Sequence, residues 1–401
     1  MKRLTLLAML LLVAAAITPV AAQAPIKIGI PAAIQLQVGR DTQDAARMAV
    51  DEINAKGGVL GRKLDIVVAD ETENPEQGIS AVKKLTADEK VDVLIGGYTS
   101  GVTLAQLPHI SQAKTIYIGI GAASPAITAK VRSDYDHYKY IFRSNPVSSK
   151  WLAASLVDWI VNMLKKEKGF EKVAIVGENA KWVQDLVPFL KKGATDGGVN
   201  VTLTEFFDVQ TSDFSPLFSK VKASGAQFLV VVLSHASSDV FVKQWYDAQV
   251  PLPIGGIDVK SQDSDFFKRV GGKSVTETIQ LLSTRAPLTT KTIPFWDAFV
   301  KRYNREPVYT GGGTYDAVHL YAEAVARAAS TEPDKVIAAL EKTDFTGVAG
   351  RIVFDENHDV KYGPGFLQPI YGQWQEGGKR MVVWPKEKVN GAFVLPPWIK
   401  R

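Results

Sequence analysis

Apolar positions along this chain fall into two alternating patterns: short continuous runs, and longer stretches spaced by three and four residues. The continuous runs are too uniformly apolar for half-exposed strands, so they predict strands buried on both faces, as in a parallel sheet. The spaced stretches predict amphipathic helices. From Ile26 a strand over Ile26 to Ile34 is followed by a helix that buries Ala46, Ala49, Val50 and Ile53 while Asp44, Arg47, Asp51 and Glu52 face water. A strand over Leu64 to Glu71, a helix opened by Pro75, a strand in Val91 to Gly97 and a strand over Thr115 to Ile120 continue the series. Strands separated by helices in this way run parallel.

After a strand at Tyr140 to Asn145 the alternation begins again. Leu152, Leu156, Trp159, Ile160 and Met163 form one helix face, Lys172 to Asn179 a strand, and Val183, Leu186, Val187 and Leu190 the next helix face. Phe214, Leu217, Phe218 and Val221 line a further helix before strands at Ala226 to Ser234 and Leu252 to Asp258. A strand at Ile279 to Ser283, three helices near Phe295, Thr314 and Asp334, and two closing strand segments in RIVFDENHD and PIYGQW remain. At 401 residues the chain is long for one domain and comfortable for two. The predicted fold is α/β, with two doubly wound parallel-sheet lobes between which the chain crosses more than once. Residues 26–144 with 284–346 are assigned to an amino-terminal lobe, and 145–283 with 347–401 to a carboxy-terminal lobe.

Lys2 and Arg3 precede the apolar run Leu4 to Ile17, and the small residues Val20, Ala21 and Ala22 follow it. That layout predicts a secretory signal peptide, residues 1–22, cleaved after Ala22. The run is shorter than the roughly 20 apolar residues that a membrane span needs, so a protein soluble outside the cytoplasm is expected. Removing Lys2 and Arg3 lowers the formal charge from +5 to +3. The basic residues are scattered as pairs such as Lys83-Lys84 and Lys191-Lys192, with no aromatic-interleaved basic stripe, which argues against a nucleic-acid partner. The lack of any cysteine removes disulfides, a thiol nucleophile, a thiolate metal site and a lipid-modified cysteine together.

Candidate chemistry gathers at strand ends. In VDVLIGGYTSGVT, Val91 to Thr103, a buried strand ends in Gly96-Gly97, and Tyr98, Thr99, Ser100 and Thr103 then bring hydroxyls to the start of a helix. Free helix N–H groups at the carboxyl end of a parallel strand suit an anionic group such as a carboxylate; the alternative is that these hydroxyls only cap the helix. A second glycine-led turn, Gly121-Ala122-Ala123-Ser124-Pro125, would lie alongside. From the second lobe Trp182, Ser234, His235 and Asp258 fall at strand ends, as a pocket wall, as ligand contacts and as the partner of a ligand cation. Trp182 could instead serve lobe packing, His235 a loop, and Asp258 a cap near Ser261. Asp51-Glu52, and Glu71 with Glu73, are read as solvated acids. No nucleophile elbow, Walker loop or complete dinucleotide fingerprint occurs, and His235 lacks a metal-ligand spacing, so neither an enzyme nor a metal or cofactor site is predicted.

DEINAKGGVLGRKLDIVVAD (Asp51 to Asp70), IGGYTSGVT, GAASPAIT (Gly121 to Thr128) and GTYDAVHLYAEAV (Gly313 to Val325) resemble the type I periplasmic solute-binding proteins of the branched-chain amino acid group, which serve ABC transporters. The resemblance spans nearly the whole chain after residue 22. It implies two lobes on a three-segment hinge closing on a small-molecule ligand, permease subunits of an ABC transporter as partners, and a monomer. It implies that Ser100 and the backbone at Gly121 and Ala122 hold an α-carboxylate, and Asp258 an α-ammonium, most simply of a hydrophobic amino acid. Ala123 stands where the family often has a hydroxyl, Trp182 where it has a phenol and Val38 where leucine-type binders tend to carry tyrosine. These departures keep an aromatic or keto acid open as ligand, and a chemoreceptor accessory open as role.

Overall fold

The computed structural model describes residues 23–400, and the predicted signal peptide lies outside them. The first sheet is built from β1 (Ile26–Ala32), β2 (Leu64–Asp70), β3 (Val93–Gly96), β4 (Ile116–Gly119) and β5 (Ile141–Arg143), in the order β2-β1-β3-β4-β5 and parallel throughout. Helices α1 (Gln37–Ala55), α2 (Pro75–Lys83), α3 (Ser100–Ala113), α4 (Pro125–Ser133) and the short α5 (Tyr135–Tyr138) make its crossovers. As the periodicity predicts, Ala46, Ala49, Val50 and Ile53 of α1 are all buried. β3 and β4 are buried along their whole length, which is why their sequences show no alternation.

The second sheet repeats the plan. Strands β6 (Lys172–Glu178), β7 (Asn200–Phe207), β8 (Phe228–Leu233), β9 (Ile254–Asp258) and β10 (Thr278–Leu281) take the order β7-β6-β8-β9-β10, the same winding as in the first lobe. They alternate with α6 (Ser149–Asp158), α7 (Lys181–Asp196), α8 (Ser215–Ala223), α9 (Ser237–Asp247) and the short α10 (Phe266–Arg269). α11 (Thr292–Tyr303), α12 (Tyr309–Ala328) and α13 (Pro333–Leu340) then lead to the small hairpin of β11 (Phe345–Thr346) and β12 (Arg351–Ile352). The chain ends in β13 (Ile370–Gln375) and β14 (Lys379–Trp384), which add antiparallel strands beyond β10.

The late helices return to the first lobe. α12 packs on α1, and Arg305 ahead of it pairs with Asp44 at 2.6 Å and with the buried Asp41 at 2.7 Å. Residues beyond β12 also belong with the first sheet: His358 stacks on Phe142 at 3.9 Å between ring centres, and buried Arg143 at the end of β5 holds Asp359 at 2.8 Å. Among the described residues no helix is long and apolar enough to cross a membrane.

Candidate functional site

A cavity of about 230 Å³ lies between the two lobes at the carboxyl ends of β3, β4, β6, β8 and β9, the position at which open α/β sheets present their ligand-binding turns. Two glycines set the turns beneath it, of which Gly121 lines the cavity. Gly97 has φ +83°, and a Cβ there would meet the Tyr117 hydroxyl at 2.0 Å; a Cβ on Gly121 would meet the Gly97 carbonyl at 2.2 Å. The second turn therefore packs on the first only because Gly121 carries no side chain, and Gly97 leaves room for Tyr117 beneath.

Both lobes aim a helix amino terminus at the cavity. Thr99, Ser100, Gly101 and Val102 from the start of α3 line it on one side, and Ala180, Lys181 and Trp182 from the start of α7 on the other. The capping alternative for Thr99 is not realised. Thr99 precedes α3 without a side-chain cap, and its Oγ1 has no hydrogen-bond partner among the described residues. Ser100 Oγ accepts from Ser124 N at 3.0 Å, which ties the first turn to the second and leaves the hydroxyl hydrogen free to donate.

Aromatic rings form much of the wall. Tyr98 donates to the Ser234 carbonyl at 3.1 Å across the lobes, Tyr309 to the Gly121 carbonyl at 3.0 Å, and Trp182 Nε1 to Ser234 Oγ at 3.1 Å. Their polar ends are thus occupied within the protein. Ala123 lines the cavity without a hydroxyl, its carbonyl accepting from Ser149 N at 2.7 Å.

The charged part of the site is an acid–histidine–acid series. Glu178 at the end of β6 accepts from His235 Nδ1 at 2.8 Å, from His235 N at 3.0 Å and from Ser234 Oγ, while His235 Nε2 stands 3.7 Å from Glu73 of the first lobe. Burial pushes the Glu178 carboxyl up, but the His235 ring and Ser234 outweigh it and hold the carboxyl below its ordinary value. Burial likewise opposes charge on His235, and the two glutamates outweigh it, so the ring stays protonated to higher pH than usual.

Three expectations are corrected. Asp258 does not reach the cavity: on β9 its neighbours Ile257 and Val259 line the wall, and Asp258, fully buried, points the other way. It accepts from Ser238 Oγ and from Ser261 N at 3.1 Å, the helix-capping alternative, and shares a hydrogen bond with Glu277. Burial raises both acids, and the Asp258 charge acts in the same direction on Glu277. Ala122 packs into the core beneath α3 and α4, with its carbonyl on Arg143 at 3.2 Å, and does not line the cavity. Glu71 is not solvated but wholly buried, accepting from Gln106 at 2.9 Å.

Gln262, Gln280, Tyr309 and Pro146 line the cavity without having been named from the sequence, as do Leu152, read only as part of a helix face, and Glu73, read only as a solvated acid. Only Tyr309 carried a signal, as the first residue of the run that leads into GTYDAVHLYAEAV; the others arrive from segments whose sequence looks like ordinary helix, turn or strand.

Comparison with known proteins agrees with this architecture. The periplasmic binding protein family matches residues 30–370. A Leu/Ile/Val-binding protein homolog 1 of Brucella melitensis is 28% identical over 359 residues, covering 87% of this chain and 90% of its own length. The crystal structure of a putative branched-chain amino acid ABC transporter from Silicibacter pomeroyi superposes with a TM-score of 0.82 at 22% identity, over 94% of this chain and all of its own. A solute-binding protein of an ABC transporter from Rhodopseudomonas palustris, in complex with 3,4-dihydroxybenzoic acid, superposes with a TM-score of 0.77 at 20% identity, over 93% of this chain and 99% of its own. With two similarly wound sheets, a cleft between their strand ends and a family match over most of its length, the chain belongs to the periplasmic binding proteins of type I, a family of non-enzymatic solute-binding proteins.

Proposed function

We propose that this chain is the periplasmic solute-binding component of an ABC importer, acting as a monomer with the permease subunits, and that its cleft takes a small carboxylate with an apolar, aromatic body. The carboxylate end is supported by the Ser100 hydroxyl and the open N–H groups of α3. The body is supported by the walls of Tyr98, Trp182, Tyr309, Leu152 and Ile257.

The observation that carries this reading against an amino acid is the position of Asp258. A desolvated ammonium needs a counter-charge, and the acid that the family pattern offers is consumed behind β9 by Ser238, Ser261 and Glu277. Of the other two acids, Glu178 is engaged by His235, and Glu73 sits half-exposed at the rim facing the same ring. The second reading, a hydrophobic amino acid with Glu73 as its ammonium partner, is favoured by the name of the Brucella relative. Calorimetric titration with benzoate, leucine and the keto acid of leucine decides between them. Tight binding of benzoate with none of leucine is expected, and tight leucine binding with neither acid bound would overturn the ligand class.

A further inference from the structure

Arg143, at the end of β5, is only 1% exposed, and a guanidinium is taken from water this completely only when its donors are paired. All five are. Nε donates to Asp359 Oδ1 at 2.8 Å; Nη2 donates to Asp359 Oδ2 at 2.5 Å and to Thr128 Oγ1 at 3.4 Å; Nη1 donates to the carbonyls of Ala122 at 3.2 Å and of Ser124 at 2.8 Å. The bidentate carboxylate sets the plane of the fork, and the fork's other edge holds the turn that follows β4.

The two carbonyls flank Ala123. The Ala122–Ala123 peptide is trans and planar, so with the Ala122 carbonyl drawn to Arg143 the Ala123 N–H points away from the guanidinium. Ala123 lines the cavity, and its N–H has no acceptor among the described residues. The next N–H, of Ser124, is the one that braces Ser100 Oγ at 3.0 Å. Arg143 therefore sets two donors from the core side, the Ala123 N–H directly and the Ser100 hydroxyl through Ser124. Asp359 is itself fixed to the edge of β5, where Arg143 N donates to the His358 carbonyl at 3.0 Å and Val360 N donates to Asp359 Oδ1 at 2.9 Å. Because Asp359 neutralises it, the guanidinium acts on a ligand through geometry and not as its counter-charge.

We propose that Arg143, aimed by Asp359, is a positioning residue for ligand binding: it turns the Ala123 N–H toward the cavity, where that N–H donates to the ligand's carboxylate beside the Ser100 hydroxyl. The proposal rests on the carboxylate end of the proposed ligand, which an aromatic acid and an amino acid share. Lysine cannot take the place of Arg143, since an ammonium has no planar fork to hold a carboxylate and two carbonyls at once. An Arg143 variant thus keeps every side chain that the ligand touches and loses the alignment of the donors.

The test combines calorimetric titration with amide spectra of protein isotope-labelled at the alanine carbonyl and nitrogen, in which only Ala-Ala pairs give signals, Ala123 among them with Ala46 of α1 and Ala339 of α13. Wild type, Arg143→Lys and Asp359→Asn are titrated with benzoate and with leucine. In the wild type the acid that binds should move the Ala123 amide proton downfield, as a carboxylate acceptor does. In Arg143→Lys affinity should fall roughly ten- to a hundredfold, the size of one hydrogen bond to a charged group. The Ala123 shift should be lost with it, while Ala46 and Ala339 keep their wild-type positions. Asp359→Asn, which keeps an oxygen for Arg143 Nε, should lie between the two. An acid that binds without moving Ala123, an Arg143→Lys of wild-type affinity, or a loss of affinity in both variants only together with displaced Ala46 and Ala339 signals would each overturn the positioning role and leave the ligand reading standing. Binding of neither acid to the wild type would overturn both.

Discussion

Ser100 and Glu71 sit on either side of the same turn and do different work. Ser100 Oγ braces Ser124 N and keeps its own hydrogen for the cavity, so Ser100→Ala is expected to weaken carboxylate binding by roughly 1–3 kcal/mol. Calorimetry reads this directly, and an unchanged affinity would leave Ser100 only its bracing role. Glu71 is buried behind the turn, and burial raises its carboxyl from the ordinary value of 4.5 to about 8, with only Gln106 and a backbone N–H acting to lower it. Between those two values the folded chain holds a proton that the unfolded chain has lost. The stability from this group is therefore complete below about pH 4.5 and fades as pH rises through about 8. Glu71→Gln should leave the melting temperature near wild type at acid pH and raise it at alkaline pH, and parallel melting curves across the range would sink the assignment. Ser100 was legible in the sequence because a hydroxyl cluster after a strand and two glycines has a local meaning. Glu71 was not, because its burial depends on Gln106 reaching over from α3, a contact 35 residues away.

At the scale of elements the strands were readable wherever both faces are buried, as in β3, β4 and β8. β7 was missed because it is only partly buried, and its Asn, Thr and Glu residues break any apolar run. The site depends on something finer, the phase of a strand as it ends. On β9 one residue of phase decides whether Ile257 or Asp258 meets the ligand, and the sequence IGGID does not state it. With Asp258 turned inward, its role is to hold the turn of Ser261 and Gln262 and the start of α9 through Ser238. Asp258→Ala leaves Ser238, the Ser261 N–H and Glu277 without that partner, so a loss of about 2–4 kcal/mol in folding stability is expected. Urea denaturation with and without ligand measures it. A variant of wild-type stability that binds no ligand would return Asp258 to the cleft.

At the scale of the whole molecule the lobes are closed on one another. Tyr98 reaches Ser234, Ser124 donates to Asp185 at 2.5 Å, Ser264 N donates to Gln37 at 3.0 Å, and Glu73 faces His235. The sequence reading has the chain cross repeatedly between lobes and puts the last crossing at 346. Because Phe354, His358 and Asp359 pack on β5, we place it after Asp359 and not at 346. Closure of this kind is a two-state equilibrium that a ligand shifts by touching both lobes. Part of it titrates. In the closed form His235 faces Glu178 from its own lobe, Glu73 from the other and Lys260 more weakly, and the acids prevail in raising its pKa above 6.5. Opening the cleft relieves the burial that opposes the ring's proton and removes Glu73, whose charge favours it, so the Glu73 contact by itself makes closing take up a proton. The Glu73 contribution to closure is present while the ring is protonated and is lost as pH rises through the closed-form value, which lies above 6.5. Ligand affinity should therefore fall on going from about pH 6 to about pH 9, and His235→Gln and Glu73→Gln should both flatten that dependence. Solution scattering should show the radius of gyration shrinking on saturation with ligand. If the radius does not change, the hinged cleft is wrong; if it shrinks while affinity stays level with pH in the wild type, closure is real but the Glu73–His235 contact takes no part in it.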